Sequence, residues 1–417
     1  MAARSRAAVE VREHVRLSRR RPNARPIMIT PAFGVLVTAA MLAKLADYLL
    51  LFAVPIAVFE ETRSTGTAVA TFAFRGLAYV ASPVLGALID RYDRRLMFVC
   101  SQLQQAACIL LAAIWIDNRW LLAGALALSG LGGVVSTITG LFVLIPAVTA
   151  EPDRERAIAR FSVAIELTKV VSYVIAGSLV ALSGSRVAMI ATATFYALAG
   201  VVGLLLPAVA AHAAERRRSL IAQITDGFQW LRKSSGGVAL VLTMTLANLG
   251  VGAVDTVTVA TLTERGLSAG FTGIVMAGGL VLGALGAGLG SSWFGARGAA
   301  RQILSWQALA FIGLLLVAMP WVAFKVAGYG MVSFCLGASN VASINYRQGL
   351  IPDQLSGRVN SVIRMFITGA LPLSGFIFAW ADAALPTNAV WLPGIGLVIA
   401  SLVVWVMFVR RVDRAVI

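Results

Sequence analysis

The chain alternates between apolar runs long enough to cross a bilayer and short polar connectors, and this alternation leaves it almost no choice of fold. The runs occupy residues 30–58, 67–89, 96–116, 120–148, 160–183, 187–207, 237–260, 271–291, 302–323, 327–346, 360–382 and 387–409. A helix rising ~1.5 Å per residue crosses ~30 Å of hydrocarbon in about 20 residues. No water is present there to pair with backbone N–H and C=O groups, so each run must satisfy its own as a helix. The expected fold class is an all-α membrane protein of twelve transmembrane helices, with the lipid bilayer as its solvent. Composition agrees, because 13% of residues are charged and 59% hydrophobic, against ~25% charged in soluble domains. The net charge of +16 does not point to nucleic acid, since the cations sit in connectors and tails rather than on one soluble face.

Those cations set the orientation. With the N-terminus inside, 26 Lys and Arg fall on the cytoplasmic side and 5 (Arg63, Arg119, Arg186, Arg265, Lys325) on the other. The bias predicts twelve spans with both termini cytoplasmic. Residues 1–29 read as a basic, solvated cytoplasmic tail, lacking the apolar core and small-residue cleavage site of a signal peptide. Residues 410–417 form a second short cytoplasmic tail.

The one long connector, 208–236, holds Leu220, Ile221, Ile224, Phe228 and Leu231 at helical spacing, which predicts an amphipathic helix on the cytoplasmic face. It separates a six-helix bundle at 30–207 from a second at 237–409. Leu144-Ile145-Pro146 after the fourth run recurs as Leu350-Ile351-Pro352 after the tenth. That offset places both copies at the same point of their halves, so the bundles read as pseudo-symmetric repeats.

Between the second and third runs lies Gly86-Ala-Leu-Ile-Asp90-Arg91-Tyr92-Asp93-Arg94-Arg95. It resembles the signature loop of the major facilitator superfamily, Gly-x-x-x-Asp-Arg-x-Gly-Arg-Arg, with Asp93 where the family usually has glycine. The resemblance implies that Gly86, Asp90, Arg91, Arg94 and Arg95 form a gating loop; the alternative is an orientation signal alone. In the second half, Gly290 through Arg301 keeps the cations without the acid. Lys44-Leu-Ala-Asp47, Gly227-Phe-Gln-Trp-Leu-Arg232 and Arg347-Gln-Gly-Leu-Ile-Pro352-Asp-Gln-Leu-Ser-Gly357-Arg358 look similar to bacterial exporters that include the enterobactin-exporter branch. That branch implies proton-driven efflux of a siderophore, drug or other natural product across the bacterial inner membrane. Antiporters of the family usually carry Gly-Pro in the fifth span; here Ala176-Gly177 lacks the proline.

Ionisable side chains at membrane depth mark the candidate cavity, because each costs ~2.5–3.5 kcal/mol there unless it meets water or a partner. They are Lys44 and Asp47, Arg75, Glu166 and Lys169, Asp255, and Arg364, on spans one, two, five, seven and eleven. In the superfamily these spans line the central cavity. Lys44 with Asp47 and Glu166 with Lys169 are spaced i,i+3, so each is either a self-neutralising pair or part of proton coupling. Arg75 has no acid one turn away and needs a partner on another helix, Asp47 or an anionic substrate group. Asp255 reads as close to the outer end of its span, and Arg364 as close enough to the inner end to snorkel. Gln102, Gln104, Gln105 and Asn248 are expected to bond between helices, and the glycines of spans four and eight to pack them closely.

No phosphate-loop motif is present, and His14 and His212 fall in cytoplasmic segments, so neither ATP drive within the chain nor a His-based site is expected. Cys100, Cys108 and Cys335 lie in apolar runs without metal-ligand spacing. The expected protein is no enzyme, carries no cofactor or metal, acts as a monomer, and exchanges a small molecule for protons. The competing reading is a membrane protein without solute transport, such as a lipid translocator or an integral enzyme on lipid-linked substrates.

Overall fold

The computed structural model describes residues 30–139, 144–149, 153–208, 220–293, 298–352, 356–386 and 389–416. Among these residues there are helices and no strand. In chain order they are α1 Pro31–Thr62, α2 Thr65–Gly76, a 3-10 turn Leu77–Ala81, α3 Ser82–Arg91, α4 Arg94–Ile114, α5 Arg119–Ile138, α6 Ile145–Val148 and α7 Arg154–Gly203. There follow α8 Leu220–Lys233, α9 Ser235–Val251, α10 Val254–Glu264, α11 Ala269–Trp293, α12 Ala299–Ala318, α13 Val322–Leu350, α14 Ser356–Ala384 and α15 Leu392–Val416. The polar connectors supply the start signals. Thr30, Ser64, Asp93, Asn118 and Ser234 each cap a helix by accepting a hydrogen bond from its first turn, which satisfies an otherwise orphaned N–H.

Ten segments of the described chain are helices long and apolar enough to cross a membrane. Two features separate this from the twelve expected runs. Residues 67–89 are divided into α2, the 3-10 turn and α3, because Pro83 has no N–H to give the Tyr79 carbonyl one turn back; the Ser82 hydroxyl donates to that carbonyl instead at 2.7 Å. Runs 160–183 and 187–207 are joined in α7, interrupted at Gly184 with φ 83° and ψ 165°, a backbone conformation essentially reserved for glycine. The seventh run breaks as well, between α9 and α10, where the Ala253 N–H is taken up by Ser374 Oγ at 3.0 Å.

The expected linker helix is present as α8, with Leu231 buried against Val241, Ile351 and Val359. Arg216 to Arg218 and the basic tail lie outside the described residues.

The buried core divides along the helix axes. Consider the end that carries the Gly86–Arg95 connector, the loop end, and the opposite, far end. One large cluster joins both halves, bringing Leu50, Ile109 and Tyr196 together with Val257, Leu314 and Phe378. At the loop end the clusters are separate: one draws only on residues 32–206 and two others only on residues 230–409. Leu144 and Ile145 anchor the first of these and Ile351 one of the others.

At the far end the halves lie backbone to backbone. A Cβ on Gly177 of α7 would stand 2.6 Å from the Ala269 carbonyl oxygen and 3.1 Å from Gly273 Cα of α11. One on Gly76 of α2 would stand 2.6 Å from Pro372 Cβ of α14. Two hydrogen bonds cross the same seam: Thr65 Oγ1 donates to Glu264 Oε2 at 3.0 Å, and the Gly66 N–H to Asp382 Oδ2 at 2.8 Å. The Asp382 carboxylate thus sits at the N-terminus of α2, where unpaired N–H groups and the helix dipole favour an anion.

Candidate functional site: a charged network inside the first half

Asp47, near the middle of α1, is the centre of the site. Its Oδ2 accepts from Lys44 Nζ at 2.8 Å, one turn back on the same helix. Its Oδ1 accepts from Arg75 Nη2 at 2.7 Å and from Tyr196 Oη at 2.6 Å. The Arg75 guanidinium is held in turn by Gln105 Oε1 at 2.9 Å and by Ser129 Oγ at 3.3 Å from Nε. Side chains from α1, α2, α4, α5 and the second arm of α7 therefore meet at one point. Local sequence allows the approach, since Gly130 leaves α5 no side chain between itself and the Arg75 carbonyl, and Gly133 lies opposite the guanidinium.

Gln105, Ser129 and Tyr196 are fully buried, whereas the side chains of Lys44, Asp47 and Arg75 keep 27%, 19% and 15% of their exposure. The charges face a space and the neutral groups back them. That space is a pair of adjoining cavities. One, of about 150 Å³, is lined by Asp47, Phe72, Arg75 and Tyr79. The other, of about 310 Å³, is lined by Tyr48, Phe98, Phe161, Glu166 and Lys169. Lys44 and Thr137 border both. Fully ionised, Lys44, Asp47, Arg75, Glu166 and Lys169 leave a net single positive charge on a wall otherwise made of aromatic, hydroxylic and small aliphatic residues.

The remaining sequence-predicted residues fall as follows. Glu166 and Lys169 pair with each other at 2.6 Å on the cavity wall. Asp255 stands in the first turn of α10 at the seam between the halves, and Tyr329 Oη donates to its Oδ1 at 3.1 Å. Arg364 is exposed on α14 towards the loop end, apart from the Asp47 network. Gln102 and Gln104 bond to Ser136 and the Leu128 carbonyl, and Asn248 to the Ile367 carbonyl, all between helices. Tyr196, Ser129, Tyr48 and Tyr329 escape sequence reasoning, because hydroxyls scattered through apolar runs carry no spacing signal.

In the connector, the side chains of Asp90 and Arg91 lie outside those described. Asp93, at φ −59°, caps α4 by accepting from Leu96 N at 3.0 Å. This explains the departure from glycine, since the turn needs no positive φ and gains a cap. Arg95 donates to the Leu204 carbonyl of its own half, Arg94 Nε is buried without a hydrogen-bond partner among the described residues, and a Cβ on Gly86 would meet open space.

The sequence profile of the Major Facilitator Superfamily matches residues 36–371. The chain belongs to this superfamily. No curated protein sequence matches it significantly. Among solved structures, the nucleoside transporter NupG superposes with a TM-score of 0.74 at 13% identity, covering 91% of this chain and 99% of that one. A bacterial homologue of the iron transporter ferroportin, in an inward-facing state, gives 0.71 at 17%, covering 90% and 98%. The POT family transporter PepTSo gives 0.72 at 11%, covering 92% and 98%. At such identities the likeness is one of fold. The superfamily member described here is a multi-pass membrane protein with a solute-transporter fold, a small molecule as its substrate, and no enzymatic role; the integral-enzyme reading is set aside.

Proposed function

We propose that the chain is a proton-coupled secondary exporter of an amphipathic small molecule, a siderophore, drug or other natural product, working by alternating access in a bacterial inner membrane. The observation that carries this reading is the Lys44–Asp47–Arg75 network, which puts charged groups at mid-membrane on the wall of a cavity large enough for part of a solute. A twelve-span topology with cytoplasmic termini is supported by counting the α2–α3 run and both arms of α7 as crossings, and by the excess of cations at the loop end. On that topology the loop end is cytoplasmic, and separate clusters there beside a shared core at the far end describe an inward-facing conformation. The job of the Gly86–Arg95 connector is then to hold the cytoplasmic side shut in the opposite state, with Asp90 and Arg94 bridging helices. The functional unit is a monomer.

Two measurements test the proposal. Media from a deletion strain and its parent, compared by untargeted mass spectrometry under iron-rich and iron-poor conditions, are expected to differ in a secreted chelator or related natural product. Identical media, with unchanged tolerance to drugs, would contradict export. In proteoliposomes, transport of the identified product is expected to follow an imposed pH gradient; indifference to the gradient would remove proton coupling.

A further inference from the structure

Asp255 and Asp47 are both carboxylates in the membrane, but they are kept differently. Asp47 faces two cations and a phenol. Among the described residues no ion pair includes Asp255. It lies nine residues before Glu264 at the end of α10, about 14 Å from the far end by helical rise, and is partly buried.

Among the described residues, the side chain that bonds to it is a phenol. Tyr329 of α13 donates to it, and its ring is pressed on the bare backbone of Gly279 of α11, where a Cβ would overlap it. From the first half, Tyr48 of α1 and Tyr173 of α7 meet edge to face, centroids 5.2 Å apart, and pack in the same core cluster as Tyr329. Tyr173 is fully buried and its Oη has no hydrogen-bond partner among the described residues. Tyr48 also borders the larger cavity, which gives water a way towards the array. A carboxylate held at membrane depth with no counter-charge is costly, and a proton relieves that cost. Ionised, Asp255 can only accept hydrogen bonds; protonated, it gains a donor and can bond differently across the seam.

We infer that Asp255, with Tyr329 and Tyr173, is a proton-binding site at the seam between the two halves, and that it holds the coupling proton rather than Asp47. A carboxylate oxygen takes the proton from water and returns it to water when the seam rearranges. The inference rests on the proton-coupled reading, yet its test needs no substrate.

The test is an infrared pH titration of the purified full-length protein, with protons as the only ligand, following the C=O stretch of protonated carboxylic acid. One component of the wild-type band is expected to titrate apart from the other carboxyls, to be lost in Asp255→Asn and to persist in Asp47→Asn. Tyr329→Phe, which removes the phenol donor to the carboxylate, is expected to shift the midpoint, and keeps the test open should Asp255→Asn fail to fold. A component that survives Asp255→Asn, or vanishes in Asp47→Asn, or whose midpoint is unmoved by Tyr329→Phe would overturn the assignment. So would loss of the band at constant pH on adding sodium or potassium, which would mark a metal-cation site. If transport follows a pH gradient while Asp255 fails to titrate, the site is wrong and the proton-coupled reading stands. If Asp255 titrates while transport ignores the gradient, the reading fails instead.

Discussion

At the scale of single residues, the Asp47 network shows what charge can and cannot announce in a sequence. Arg75 has no acid one turn away, so a partner on another helix was legible, and the structure supplies Asp47 at 2.7 Å. Tyr196, Ser129 and Gln105 complete the network, but a hydroxyl or amide in an apolar run looks the same whether it bonds to a charge or to its own helix. Replacing Asp47 by Asn leaves Lys44 and Arg75 facing each other uncompensated. The expected cost is about 3–5 kcal/mol, the range for stripping one partner from a buried pair, read as a lower unfolding midpoint in detergent. Adding Arg75→Met to that variant should recover part of the loss, because it removes the charge left unpaired. A double variant as unstable as the sum of its singles would show that the two groups do not act together. Lys44→Gln, which removes the most exposed cation of the network, is expected to weaken binding of an anionic product while leaving the fold intact, measurable by titration once the product is in hand.

At the scale of elements, breaks in the helices matter as much as the helices. The apolar runs were legible because ~20 consecutive apolar residues have one stable form in lipid. The division of the second run was not read, although Ser82 and Pro83 were in plain view, because hydropathy is indifferent to a missing N–H. Gly184 joins two runs at a tight reversal, and Gly184→Ala is expected to cost about 1–3 kcal/mol through its φ of 83°, again by thermal unfolding. Gly66 does something different. A Cβ there would stand 2.6 Å from Asp382 Oδ2, so Gly66→Ala should push α14 from the N-terminus of α2 and open the far end. Cross-linking of cysteines placed at Thr65 and Glu264, in a background lacking Cys100, Cys108 and Cys335, is expected to fall in that variant; unchanged cross-linking would show that the contact does not hold the seam.

At the scale of the whole molecule, the two Leu-Ile-Pro copies and the long connector suggested a division into two halves, whereas nothing local shows at which end the halves meet. That is a property of many weak contacts: glycine-lined crossings at Gly177 with Gly273 and Gly76 with Pro372, and two polar bonds onto the start of α2. Packed interfaces of this kind switch between discrete arrangements rather than deforming smoothly. The account is tested most directly by two spin-label distances in the cysteine-free protein. One pair, Glu61→Cys with Arg265→Cys, reports the far end, and the other, Arg160→Cys with Gln348→Cys, the loop end. As pH is varied, the far-end distance is expected to lengthen when the loop-end distance shortens, and both responses should vanish in Asp255→Asn. Distances that stay fixed, or that lengthen together, would contradict alternating access coupled to protons.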